Sequence, residues 1–152
     1  MISYHTERKI HLSVAVIATL SIATFFTSTV IVELSGSHEQ IATVKRLIVM
    51  PGLFILVPAI AITGGTGFAL SKQRSGSLVD RKKKRMPIIG ANGLLILLPA
   101  AIFLDQWASS GSFDVKFYIV QTLELLAGAV NLTLMSMNIR DGLRLSGRLN
   151  KM

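Results

Sequence analysis

Apolar residues fill four long runs of the chain, roughly Ile10 to Val32, Val44 to Leu70, Met86 to Trp107 and Phe117 to Met137, with polar residues gathered in short stretches between them. Each run is about 20 residues or longer, enough for a helix to cross roughly 30 Å of hydrocarbon. The pattern predicts an all-α integral membrane protein, an antiparallel four-helix bundle forming a single domain over residues 1–152. The stretches "ELSGSHEQ" (Glu33 to Gln40) and "ASSGSFD" (Ala108 to Asp114) read as polar turns. Both are short enough to make each flanking pair of spans a hairpin. The first run is too long for a signal-peptide core and shows no convincing small-residue cleavage site, so it is kept as a mature helix.

Two of the spans carry similar octamers, "GLFILVPA" (Gly52 to Ala59) and "GLLILLPA" (Gly93 to Ala100). Proline inside a helix removes one hydrogen bond and frees the carbonyl four residues back, so kinks are expected at Pro58 and Pro99, with Phe54 and Leu95 as the freed carbonyls. Convergence of two apolar helices on one alphabet explains the repeat; an inverted pair of broken helices, as transporters use, is the alternative. The second span ends in "TGGTGF" (Thr63 to Phe68), which follows a helix rather than a strand and lacks the Lys-Ser or Lys-Thr of a phosphate-binding loop.

The last span is the least apolar. Gln121, Glu124, Gly128, Asn131, Met135 and Asn138 follow one another at steps of three and four, which places them on one helix face. An unpaired carboxylate or amide facing lipid costs several kcal/mol, so this face is expected to look into the bundle. Gly128 would let a neighbouring backbone approach. Counting rises of about 1.5 Å per residue puts Glu124, Pro58 and Pro99 at a common depth, and sets Asn92 of the third span level with Asn131 for an amide pair. Hydroxyls at Thr19, Ser21, Thr24, Thr27, Ser28 and Thr29 are available from the first span. Two readings of this polar core stay open. It is interhelical glue, with a protonated Glu124 donating to a carbonyl that a proline frees, or it is a proton or cation site. Small multidrug carriers also combine four spans with one membrane glutamate, but theirs lies on the first span.

Composition sharpens the topology. The chain has no cysteine, which excludes disulfides, thiolate metal sites and dithiol chemistry, and its net charge is +8. Arg8, Lys9, Lys72, Arg74, Arg81, Lys82, Lys83, Lys84, Arg85, Arg140, Arg144, Arg148 and Lys151 fall on one side of the expected bundle; Lys45, Arg46 and Lys116 fall on the other. This asymmetry places both termini and the "KQRSGSLVDRKKKRM" loop in the cytoplasm of a bacterial inner membrane. Arg81, Lys82, Lys83, Lys84 and Arg85 are expected to meet anionic lipid headgroups. No aromatic platform or recognition helix accompanies them, so nucleic acid is not an expected partner.

Of the three histidines, His5 lies in the tail, His38 beside Glu39 in the far turn, and His11 opens the first span. A b-type haem held within one protomer by two histidines is not expected, because His11 and His38 are separated by the whole first span. His11 paired with a methionine, or with its copy in a homodimer, remains an alternative.

The pattern "RKIHLSVAVIA" (Arg8 to Ala18), "SG" at Ser35 and Gly36, and "IATVKRLIVMPGLFILVPAIAI" (Ile41 to Ile62) resembles the first half of a family of small bacterial integral membrane proteins with four or five helices. A basic residue three before a histidine at the start of the first span also resembles small membrane haemoproteins, including the oxygen-independent membrane protoporphyrinogen oxidases. The resemblance covers about the first 70 residues and implies His11 as the ligand of any haem; the tryptophan-glycine pair that follows such a histidine is absent.

No nucleophile with a base, no paired carboxylates and no metal-ligand cluster stands out in the sequence, so an enzyme is not expected. The expected protein is a non-enzymatic inner-membrane protein with a buried polar site around Glu124, a small carrier or a partner subunit of a larger membrane complex. No metal and no resident cofactor is expected. The alternative is a b-type haem protein for electron transfer or sensing.

Overall fold

A computed structural model describes residues 4–72 and 75–147, all of them helical apart from short turns. Arg74, Arg148 and Lys151 of the cation count lie outside these described residues. Four long helices account for the fold: α1 (Tyr4–Ser35), α2 (His38–Lys72), α3 (Ser77–Ser109) and α4 (Val115–Leu145). All four are long and apolar enough to cross a membrane.

Each helix is longer than its apolar run because polar residues at the ends cap and extend it. Only Gly36 and Ser37 separate α1 from α2. Ser37 Oγ accepts from Gln40 N–H at 3.3 Å while Gln40 Oε1 accepts from Ser37 N–H at 2.8 Å, a reciprocal capping box that starts the helix at His38. Most of the expected turn is therefore helix, and Lys45 lies inside α2 rather than at its mouth. Asp114 caps α4 by accepting from Phe117 N–H at 3.1 Å. The basic cluster, expected in a loop, forms the opening turns of α3.

The distortions fall close to prolines: in α2 at Pro51 rather than at the expected Pro58, and in α3 around Leu95, four residues before Pro99. In α2 the segment Ile48–Leu53 is π-helical, and Met50 leaves helical geometry altogether (φ −132°, ψ 110°) just before Pro51. The helix runs on unbroken through Pro58. In α3 the π-helical segment Gly93–Leu97 comes immediately before the turn that contains Pro99. The break at Met50 divides the work of α2: its first part packs on the Leu98–Ser109 portion of α3, and its second part runs along α1.

Packing is organised in two apolar clusters with polar groups between them. Ala18, Ile22, Leu56 and Ala59 join α1 to the second part of α2, and Ile41, Leu104, Ala108 and Phe117 join the first part of α2 to α3 and α4. The outer surface is the reverse of a soluble bundle. Leu34, Phe54, Leu95 and Val115 are among many large apolar side chains left exposed, whereas Lys45, Gln121, Asn131 and Asp141 are buried.

Candidate functional site

One face of α4 carries Gln121, Glu124, Asn131, Asn138 and, three residues further, Asp141, and each finds partners. Lys45 Nζ donates to Glu124 Oε2 at 2.5 Å with the lysine side chain fully enclosed, and Gln121 Nε2 donates to the same oxygen at 3.1 Å. This changes the expected chemistry of Glu124. Its partner is an ammonium on α2, not a carbonyl freed by a proline. Lys45 reaches it because Ile41, Lys45, Ile48 and Gly52 share one buried stripe of α2, so an intended topology charge becomes a core residue.

The middle of the face is held by amides. Asn92 Nδ2 on α3 donates to Asn131 Oδ1 and to Ala127 O, each at 2.8 Å, and Asn131 Nδ2 donates to Ile89 O at 3.4 Å. Gly128 admits a side chain rather than a backbone: a Cβ there would stand 3.1 Å from Cδ2 of Phe26.

A second ion pair closes the other end. Arg85 Nη1 donates to Asp141 Oδ2 at 2.7 Å and to Asn138 Oδ1 at 3.3 Å, and Asp141 is fully buried. Arg140 Nε lies 3.9 Å from Asp141 Oδ1. Arg85 is thereby turned inward, away from the headgroup role expected for it, while Arg81, Lys83 and Lys84 remain exposed and Lys82 lies beside Gly142. The sequence signal for Asp141 was present, since it continues the three-and-four spacing one step past Asn138.

Between the two ion pairs lies a cavity of about 360 Å³ to which all four helices contribute. Its wall is mostly aliphatic and aromatic, with Thr29, Glu124 and Asn131 as its polar side chains. Thr29 is the hydroxyl that α1 brings to this site; Thr19 and Ser28 bond instead to carbonyls of their own helix. Pro58 and Pro99 are not among the lining residues, although their neighbours Val57 and Leu98 are.

His11 stands apart from this core. Thr66 spends its hydroxyl hydrogen on Ile62 O at 2.6 Å, so in the 3.0 Å contact between Thr66 Oγ1 and His11 Nδ1 the histidine donates. A Cβ on Gly67 would stand 3.0 Å from His11 Cε1 and 3.2 Å from Met86 Sδ. Both side chains close on Gly67, where the absence of a Cβ lets α1 and α3 pack against the α2 backbone. His38 is exposed and stacks on Phe113 with ring centroids 4.0 Å apart. Among the described residues no group of three or more histidine, aspartate and glutamate side chains is placed to hold a metal ion.

Nothing matches this chain among protein-family models, curated proteins or solved structures. The resemblance of the first 70 residues therefore assigns no family, and function rests on the site.

Proposed function

We propose that the protein is a small membrane carrier, an antiparallel four-helix bundle that holds one small ligand in the cavity beside Glu124. The cavity carries this reading: about 360 Å³, lined from all four helices and bordered by Glu124 and Asn131, it falls within the range of small-molecule sites, roughly 300 to 1,000 Å³. The two ion pairs add to it. Asp141 lies about 26 Å beyond Glu124 along α4 at roughly 1.5 Å per residue, so one pair can open while the other holds, as access from alternate faces requires.

Membrane embedding is supported by four sufficiently long apolar helices and by the inverted surface, apolar outside and charged within. The two-residue connection after α1 and the short turn before α4 favour neighbours that run back on one another. Enclosure of Lys45 strengthens the charge asymmetry, since Arg46 and Lys116 then remain as the cations of the face opposite both termini. Both termini are accordingly cytoplasmic.

A single cysteine in this cysteine-free chain tests the carrier. Gly90 lines the cavity and a Cβ there would meet nothing within 4 Å, so Gly90→Cys is tolerated. In proteoliposomes of fixed orientation it should react with a membrane-impermeant maleimide applied from either face. Reaction from one face alone would reduce the protein to a fixed pocket, and protection from both would remove the carrier reading.

A further inference from the structure

We infer that the ligand is an uncharged lipophile carrying one hydrogen-bond donor, a phenol or alcohol, whose hydroxyl donates to Glu124 Oε1; this rests on the carrier reading above. The polar atoms of the cavity wall decide the chemistry. Asn131 is engaged at both ends of its amide, through Asn92 and Ile89. Glu124 Oε2 accepts from both Lys45 and Gln121, whereas Oε1 accepts no hydrogen bond from the described residues. Beside the Thr29 hydroxyl, which can both donate and accept, the wall thus offers an open carboxylate acceptor, and the complement of that acceptor is a donor.

Charge fixes the rest. Glu124 is already neutralised by Lys45 at 2.5 Å, and that ammonium has no exposed surface through which to leave. Glu33 acts on both members of the pair from outside the cavity wall, so a cationic ligand in the chamber would still place two cations on the one carboxylate it can reach, and an anionic one would meet that carboxylate directly; either would have to shed its hydration in an apolar chamber. A neutral hydroxyl meets neither cost. Its apolar body matches Ile22, Phe25, Leu56 and Leu97 on the walls. Val57 and Leu94 both line the cavity and are exposed on the outer surface, so the chamber borders the apolar exterior between α2 and α3, where a lipophile would arrive.

Displacement of N-phenyl-1-naphthylamine, an uncharged fluorescent lipophile with one N–H, measures this in nanodiscs with empty nanodiscs subtracted. Saturable fluorescence in the wild type that is lost in Gly90→Leu, which fills the cavity, reports occupancy. Against it, 4-pentylphenol should compete on the order of 10-fold better than its methyl ether 4-pentylanisole, the value of one hydrogen bond to a charged acceptor. Hexylammonium should compete worse than the phenol. In the double variant Lys45→Met with Glu124→Met, which keeps the dye signal, phenol and ether should become equal. Equal competition in the wild type, or a hexylammonium that outcompetes the phenol, overturns the ligand class and leaves the carrier standing. Absence of a saturable signal sensitive to Gly90→Leu overturns the carrier reading itself.

Discussion

Lys45 Nζ sits 2.5 Å from Glu124 Oε2 across the α2 to α4 interface, with the lysine enclosed on every side. Removing one member of such a pair strands the other charge in an apolar interior, which costs about 3 to 5 kcal/mol, while replacing both with apolar side chains of similar volume is close to neutral. Glu124→Leu should therefore unfold at markedly lower temperature in detergent than Lys45→Met with Glu124→Met. Glu124→Gln should fall between, since its amide oxygen still accepts from the ammonium. A double variant as unstable as Glu124→Leu would show that the pair itself, rather than the orphaned charge, holds the bundle.

The Arg85 and Asp141 pair is expected to behave in the same way and independently. Asp141→Leu strands Arg85 at a cost of about 3 to 5 kcal/mol, and Arg85→Met with Asp141→Leu should recover most of it. The two pairs lie well beyond the roughly 7 to 10 Å within which substitutions couple, so the losses of Asp141→Leu and Glu124→Leu should add within about 0.5 kcal/mol. A combined loss much smaller than the sum would mean that both pairs report one cooperative opening.

Asn92 makes two hydrogen bonds of 2.8 Å, to Asn131 and to the Ala127 carbonyl. Asn92→Ala should cost about 1 to 2 kcal/mol, the scale of interhelical side-chain bonds in membrane bundles. Thermal unfolding indistinguishable from the wild type would show that the amide pair is replaced without loss.

Topology can be read from single cysteines at exposed turn positions. Ser110→Cys, between α3 and α4, should react with an impermeant maleimide on intact cells, and Ser75→Cys, before α3, only after lysis. The opposite pattern would invert the bundle.

At His11 the expected preparation is colourless, because one ligating histidine per protomer leaves the second axial position to a weaker ligand. The crowding at Gly67 makes a second expectation: Gly67→Ala should destabilise the α1 to α2 contact modestly, as its methyl would crowd the His11 ring at 3.0 Å while the flexible end of Met86 swings aside. A Soret band from haem-replete cells that vanishes in His11→Ala would reverse the assignment, as would a Gly67→Ala protein of unchanged stability accompanied by haem.

The polar face of α4 was readable because helical spacing is a property of sequence alone, and Gln121, Glu124, Asn131 and Asn138 obey it. Lys45 is not legible in the sequence as part of the same site. A lysine one residue into an apolar run counts as a flanking charge, and only the capping box at Ser37 and Gln40, by starting the helix at His38, carries it well inside. Arg85 is hidden for a related reason: in a run of five cations, sequence gives no way to tell which one a buried aspartate will claim.

By itself the sequence determined the number of long helices, because each apolar run is long enough to form one helix that could cross a membrane, and it marked the face of α4 that carries the polar core. Tertiary structure alone decided the partners across that face. The break at Met50 and Pro51 turns the first part of α2 toward α3, which brings Lys45 to Glu124, and the helical start of α3 brings Arg85 to Asp141. Those contacts join residues 79 and 56 positions apart. Local spacing cannot encode them, because what selects each pair is the cost of leaving either charge unpaired in an apolar interior, and that interior exists only once the helices have packed.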